Sequence, residues 1–128
     1  MSNIQGKKIL LVEDDEVLSR MYEKRLMLEH ADVMLAKNGR EALEKLSEGE
    51  VDLMLLDLMM PDMNGYEVIK KVRENPEQSK IPIIVLTNLD AHPEYIEKAT
   101  GSKVEEYLIK SDVSVNEVVE KISEHLPQ

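Results

Sequence analysis

Asp52-Leu53-Met54-Leu55-Leu56-Asp57-Leu58-Met59-Met60-Pro61 is the stretch that decides the fold. Leu53 to Leu56 is an unbroken apolar run of strand length, as expected for a strand covered on both faces. Asp57 follows it directly, and Met60-Pro61-Asp62-Met63-Asn64-Gly65 reads as a loop. A carboxylate at the end of a buried strand is costly to desolvate unless something compensates it. Other runs end in the same way. Glu13-Asp14-Asp15 follows Ile9 to Val12, Thr87 follows Ile83 to Leu86, and Lys110 follows Tyr107 to Ile109. Glu13, Asp14, Asp57, Thr87 and Lys110 thus stand at carboxyl ends of predicted strands, the edge of an open parallel sheet where ligands bind.

The strands expected from these runs are Lys8 to Val12, Asp32 to Ala36, Asp52 to Leu56, Ile81 to Thr87 and Val104 to Ile109. The second is more mixed than the others and reads as an edge strand. Helical patterns alternate with the strands. The first spans Glu16 to Leu28, with Leu18, Met21, Tyr22 and Leu26 near one face. The second spans Gly39 to Leu46 and the third Gly65 to Glu74, with Pro76 beyond it as a stop. A weakly apolar fourth runs from Pro93 to Ala99. The fifth opens on a capping box of Ser114 and Glu117. Repeated alternation with right-handed crossovers predicts a doubly wound α/β fold. The expected sheet is five-stranded and parallel, in the order 2-1-3-4-5, with helices on both faces and a switch point where Asp14 and Asp57 emerge.

A chain of 128 residues, 42% apolar and 33% charged, suits one domain with one core. We read a single domain over 1–128 with its core from about 7 to 126. With no Phe or Trp, four Tyr and eight Met, the core is aliphatic with Met as gap filler. A net charge of −10 argues against direct nucleic-acid binding and against an anionic membrane surface. The absence of Cys excludes a disulfide framework and a thiol nucleophile. No apolar run is of spanning length, and the first residues lack the apolar segment of a signal peptide, so a cytoplasmic location is expected.

Carboxylates crowded into one cleft repel each other, and a hard divalent cation such as magnesium relieves that repulsion. Asp57 is then placed to act as a nucleophile toward a phosphoryl group, with Lys110 and the Thr87 hydroxyl meeting the phosphoryl oxygens. In this constellation the chain resembles a response-regulator receiver domain of two-component signalling, of the stand-alone, chemotaxis-regulator type. The matching pieces are Ile9 to Asp15, Asp52 to Pro61, Asn64-Gly65, Ile83 to Thr87 and Tyr107 to Lys110. Each is weakly specific alone; their order and separations together are strongly so.

The resemblance implies the flavodoxin-like receiver fold. It makes Asp57 the phosphoacceptor, and it makes Glu13, Asp14, Asp57 and the Met59 backbone carbonyl the ligands of magnesium (or manganese). It makes Thr87 the switch hydroxyl, Tyr107 the switch aromatic and Lys110 the lysine at the phosphoryl group, which the Asn88 N–H also meets. The implied partners are a sensor histidine kinase or phosphotransfer protein upstream and a protein effector downstream. The fourth helix, fifth strand and fifth helix form the responding surface, and a phosphorylation-linked homodimer stays open. The implied role is signalling rather than turnover of a substrate. One position departs from the family: Ser111 stands where a cis-linked proline usually follows the lysine. A cis bond without proline costs about 2.5–4 kcal/mol, and the sequence leaves cis and trans both open.

Simpler readings compete at several positions. Asp15 reads as an N-cap. Tyr107 reads equally well as plain core, and Gly65 serves the turn on any reading. His30, His92 and His125 do not cluster and read as surface residues. A calcium loop around Asp62 fails because Met60 and Lys71 would fill its first and twelfth positions. An aspartyl-phosphate phosphatase would need a second Asp where Met59 stands. A never-phosphorylated scaffold of the same fold remains a rival.

By the same resemblance, positions 59 and 89 flank the path of the water that hydrolyses the aspartyl phosphate. Met59 and Leu89 are apolar and position no water. Slow self-dephosphorylation follows. Combining Met59→Asn with Leu89→Glu should shorten the phosphorylated lifetime; an unchanged decay rate would refute this.

Overall fold

The computed structural model describes residues 3–88 and 93–126. Five strands, β1 Lys8–Val12, β2 Asp32–Ala36, β3 Leu53–Leu56, β4 Ile83–Thr87 and β5 Glu106–Ile109, form one sheet in the order β2-β1-β3-β4-β5, and every pair is parallel. The connecting helices are α1 Glu16–Leu28, α2 Gly39–Glu48, α3 Gly65–Glu74, α4 Pro93–Thr100 and α5 Val115–His125. Every residue of β3 and β4 is buried, whereas β2 at one edge is only partly covered. Two aliphatic cores flank the sheet. One joins Leu10, Val12, Met54 and Leu56 to α2, α3 and Ile96 of α4; the other joins Ile9, Leu11, Leu53 and Leu55 to α1 and α5. This division is the period-2 alternation of the strands expressed on both faces.

Helix starts follow local side-chain chemistry. Asp15 Oδ1 accepts the Val17 and Leu18 N–H groups, Asn38 caps α2 and Asn64 caps α3. The capping box of Ser114 and Glu117 forms in full. Gly101, at φ +77°, follows the end of α4 in the left-handed conformation common after helices.

Three expected strands start too early. Asp52 does not extend β3; its Oδ2 accepts the Lys8 N–H at 2.7 Å. Ile81 donates its N–H to the Gln78 carbonyl in a turn, and Pro82 has no N–H to give the ladder. At β5, the Glu105 side chain accepts the Ile83 N–H at 2.7 Å. Carboxylate side chains at the starts of β3 and β5 thus take backbone N–H groups, and a turn takes one before β4. The second and fourth helices run further than expected, to Glu48 and Thr100. The face of α1 also differs: Ser19, Tyr22 and Leu26 are buried, while Met21 is 41% exposed. The helix rests on the core along a narrow stripe, and Val17, Met21 and Leu28 fall outside it.

Gly65 has a reason other than turn conformation, since its φ is not positive. A Cβ there would lie 2.6 Å from Leu58 Cα and 2.7 Å from the Asp57 carbonyl oxygen, both backbone atoms. The start of α3 is therefore pressed onto the segment that carries Asp57, and Gly65 N–H donates to the Leu58 carbonyl at 3.0 Å. Gly65→Ala should destabilise the fold by about 1–3 kcal/mol through overpacking. Urea unfolding measures this, and a neutral result would show that α3 lifts off freely.

Candidate functional site

The carboxyl ends of β1, β3, β4 and β5 deliver the predicted residues to one edge. Glu13 and Asp57 are the residues immediately after β1 and β3, Thr87 is the last of β4, and Lys110 follows β5. Backbone bonds hold the first two in place: Glu13 N–H donates to Ala36 at 3.0 Å and Asp57 N–H to Val12 at 3.1 Å. Glu13, Asp57 and Thr87 are 5%, 6% and 0% exposed. Asp14 is exposed beside them, and one carboxylate oxygen from each of Glu13, Asp14 and Asp57 lies within 4.8 Å of the others.

Lys110 joins the anions. Its Nζ donates to Asp57 Oδ2 at 3.0 Å and also to Glu13 Oε1. The remaining oxygens are held by backbone donors. Met59 N–H reaches Asp57 Oδ1 at 3.0 Å, and Asp15 N–H reaches Glu13 Oε2 at 3.2 Å. The Asp57 carboxylate is thus fixed at both oxygens. Met59 itself is 58% exposed at the mouth. A groove of about 280 Å³ runs outward from Glu13 and Asp14 past Ser19 and Arg20 toward Lys37 and Glu41.

The cluster sets two buried anions against one cation. Burial is the main influence on Glu13 and holds its carboxyl above the ordinary Glu value, opposed by Lys110 and the Asp15 N–H and reinforced by the charge of Asp57. Burial pulls Lys110 the other way, but its bonds to Glu13 and Asp57 outweigh that and hold the ammonium above its ordinary value. One ammonium does not compensate two buried carboxylates, and Glu13 bears the deficit. Clustered hard oxygens short of positive charge suit a magnesium-type ion, so the residues present fit that group.

Asn88, immediately after Thr87, is exposed. Tyr107 is half-buried on β5 and packs on the α3 side of the sheet. Leu89 and His92 lie outside the described residues. The Lys110-Ser111 bond is trans, as no cis peptide occurs among the described residues, and Lys110–Asp112 forms a single 3-10 turn. His30 is exposed as expected, but His125 is not a plain surface residue: its Nε2 lies 3.3 Å from Glu106 Oε1. Lys121 Nζ shares that carboxylate at 3.3 Å.

Sequence reasoning missed Tyr66, at the start of α3, whose hydroxyl has no hydrogen-bond partner among the described residues, and Arg73. Arg73 binds the Ser79 and Ile81 carbonyls and the Glu105 carboxylate at the opposite edge. An Arg on a short helix before a turn is the only local sign of the latter.

Comparison with known proteins adds three findings. The response regulator receiver domain family matches residues 9–123. The chain is 37% identical over 105 residues to the response regulator ArlR of Staphylococcus saprophyticus, covering 80% of this chain and 45% of that one. It is 44% identical over 94 residues to the CpxR homolog of Haemophilus influenzae, a transcriptional regulatory protein, covering 73% and 38%. The chain thus spans less than half of the length of these relatives. Among solved structures, the Vibrio cholerae chemotaxis protein CheY4 superposes with a TM-score of 0.83 at 29% identity, covering 94% of this chain and 99% of that one. The response regulator TrrA of Thermotoga maritima, in complex with magnesium and beryllofluoride, gives 0.81 at 31% identity with the same coverage.

The charge account is testable through Lys110. Folding tightens proton binding at Glu13, so this group's contribution to stability falls as pH rises from the usual Glu range through its folded value. The contribution of Lys110 is present at neutral pH and is lost only as pH rises through its raised folded value. Lys110→Met strips the one cation from two buried anions and should cost about 3–5 kcal/mol at neutral pH. The loss should shrink as pH falls through the range where Glu13 takes up its proton. Urea unfolding at neutral and acidic pH checks this, and an equal loss at both would contradict it.

Proposed function

The chain belongs to the response regulator receiver domain family, and from that premise we propose that it is a phosphorylation-controlled signalling module. It takes a phosphoryl group onto Asp57 from a phosphohistidine of a sensor histidine kinase or a phosphotransfer protein. It then presents an altered surface of α4, β5 and α5 to a downstream protein. The observation that carries this reading is the Lys110 ammonium bridging buried Glu13 and Asp57 at the carboxyl edge of the sheet.

The chemistry follows from how each group is held. Met59 N–H and Lys110 fix the two oxygens of Asp57, so the nucleophile is oriented before the donor arrives. A carboxylate oxygen of Asp57 forms the new bond to phosphorus as the phosphorus–nitrogen bond of the donor breaks, and the imidazole leaves with the electron pair. Lys110 is already aimed at Asp57 and transfers its attraction to the phosphoryl oxygens. Glu13, Asp14 and Asp57, with the Met59 carbonyl, would hold magnesium or manganese. The chemistry such an ion supplies there is neutralisation of phosphoryl oxygen charge. Thr87, wholly buried at the end of β4, donates its hydroxyl to a phosphoryl oxygen, and Asn88 N–H meets another. The phosphoryl group replaces one negative charge with about two, a gain of about −1 carried on three strong acceptor oxygens; it draws Thr87 toward it, and Tyr107 follows inward. The exposed, apolar side chain of Met59 offers a hydrolytic water no polar group, which favours a persistent signal.

The test is intact-protein mass after incubation with acetyl phosphate, with and without magnesium, for the wild type and Asp57→Ala. One phosphoryl group that requires both magnesium and Asp57 is expected. No added mass, together with no binding of beryllofluoride, would leave a scaffold of receiver fold that is never phosphorylated.

A further inference from the structure

The methionines of this chain differ in their surroundings. Met54 is fully buried, and Met34, Met60 and Met63 are partly buried against the core that holds α2 and α3. Met59 is 58% exposed, although Met60 beside it is packed. The other exposed methionines among the described residues are Met27 at 57% and Met21 at 41%, both on α1. Met59 differs from these two in what its backbone does. Its N–H donates to Asp57 Oδ1 at 3.0 Å, which fixes the residue beside the proposed phosphoacceptor. Leu58 between them is 1% exposed and anchored in the same core. A thioether thus stands in solvent on a backbone held against the reactive carboxylate.

We propose that Met59 is an oxidation site, taking one oxygen atom from a peroxide, and that its sulfoxide shortens the life of the phosphoryl group on Asp57. The sulfur attacks one peroxide oxygen, the oxygen–oxygen bond breaks and a sulfur–oxygen bond forms. Sulfur loses two electrons, and hydrogen peroxide, reduced by the same two, leaves as water. The product is polar where the thioether was apolar, and a thioether sulfur is only a weak acceptor. The sulfinyl oxygen accepts a hydrogen bond from water beside the phosphoryl group and orients it for attack on phosphorus. The phosphorus–oxygen bond to Asp57 then breaks, the carboxylate keeps the electron pair, and inorganic phosphate departs with the oxygen of that water. Peroxide therefore shortens the signal. The effect on decay rests on the phosphorylation reading above, whereas the site of oxidation does not.

The test applies dilute hydrogen peroxide to the wild type and to Met59→Leu, and peptide masses locate the added oxygen. Treated and untreated samples are then phosphorylated with acetyl phosphate and magnesium, freed of the donor and followed by intact mass. Oxidation at Met59 should equal or exceed that at Met27. The phosphoryl group on the oxidised wild type should decay about fivefold faster, the worth of one ordinary hydrogen bond, while the rate of uptake stays as it was. In Met59→Leu, peroxide should leave the decay at its untreated value although Met21 and Met27 still oxidise. Met59 left unoxidised where Met27 is oxidised overturns the proposal, as does an unchanged decay in the oxidised wild type. The same acceleration in Met59→Leu, or an equal change in uptake and decay, overturns it too, because the effect then comes from α1 or from a general loosening of the site. Those four results leave the phosphorylation reading standing. An untreated wild type that takes up no phosphoryl group overturns that reading, and the effect on decay falls with it.

Discussion

Two carboxylates, Glu13 and Asp57, are buried side by side at the end of a parallel sheet and share one ammonium. The rest of the site depends on this imbalance. Burial makes the carboxylates costly, proximity makes them repel, and the ammonium offsets part of each. A site with surplus negative charge and ordered oxygens suits a hard cation. The parallel sheet is what makes the arrangement possible. It brings the ends of β1, β3, β4 and β5 to one edge, although Glu13 and Lys110 are 97 residues apart.

The helices serve that edge unequally. α3 is tied to it by the Gly65 contact and by the bond from Gly65 N–H to Leu58. α4 contributes only two buried residues. The segment that carries Asp57 is thus held firmly by α3, whereas α4 rests on its neighbours through Ile96 and Thr100.

Much of this is legible in the chain because the signals are local. A charge directly after an apolar run marks Glu13, Asp57 and Lys110, and capping residues mark Asp15 and Ser114. The strand order also follows from the alternation of runs. The sequence overextends β3 and β5 because Asp52 and Glu105 bond distant backbone N–H groups, which no periodicity reveals. The pairing of His125 with Glu106 spans 19 residues and two elements, so the isolated histidine reads as surface. The aim of Lys110 depended on the bond before Ser111, and only three-dimensional structure shows it trans. Likewise, nothing in Gly65-Tyr66-Glu67 tells whether a tyrosine hydroxyl finds a partner.

Arg73 gives the molecule a fixed point. Its guanidinium holds Ser79 and Ile81 before β4, and Lys103 and Glu105 after α4. The carboxyl end of α4, with Thr100 buried and bonded to Ile96 and Ser102, is therefore moored to the far edge of the sheet. Its other end follows β4 and carries Tyr95, beside Tyr66. Anchorage at one end confines displacement to the other, so the helix behaves as a lever with its fulcrum at Arg73. Any displacement of α4 would therefore be a tilt about that fulcrum and not a translation of the whole helix.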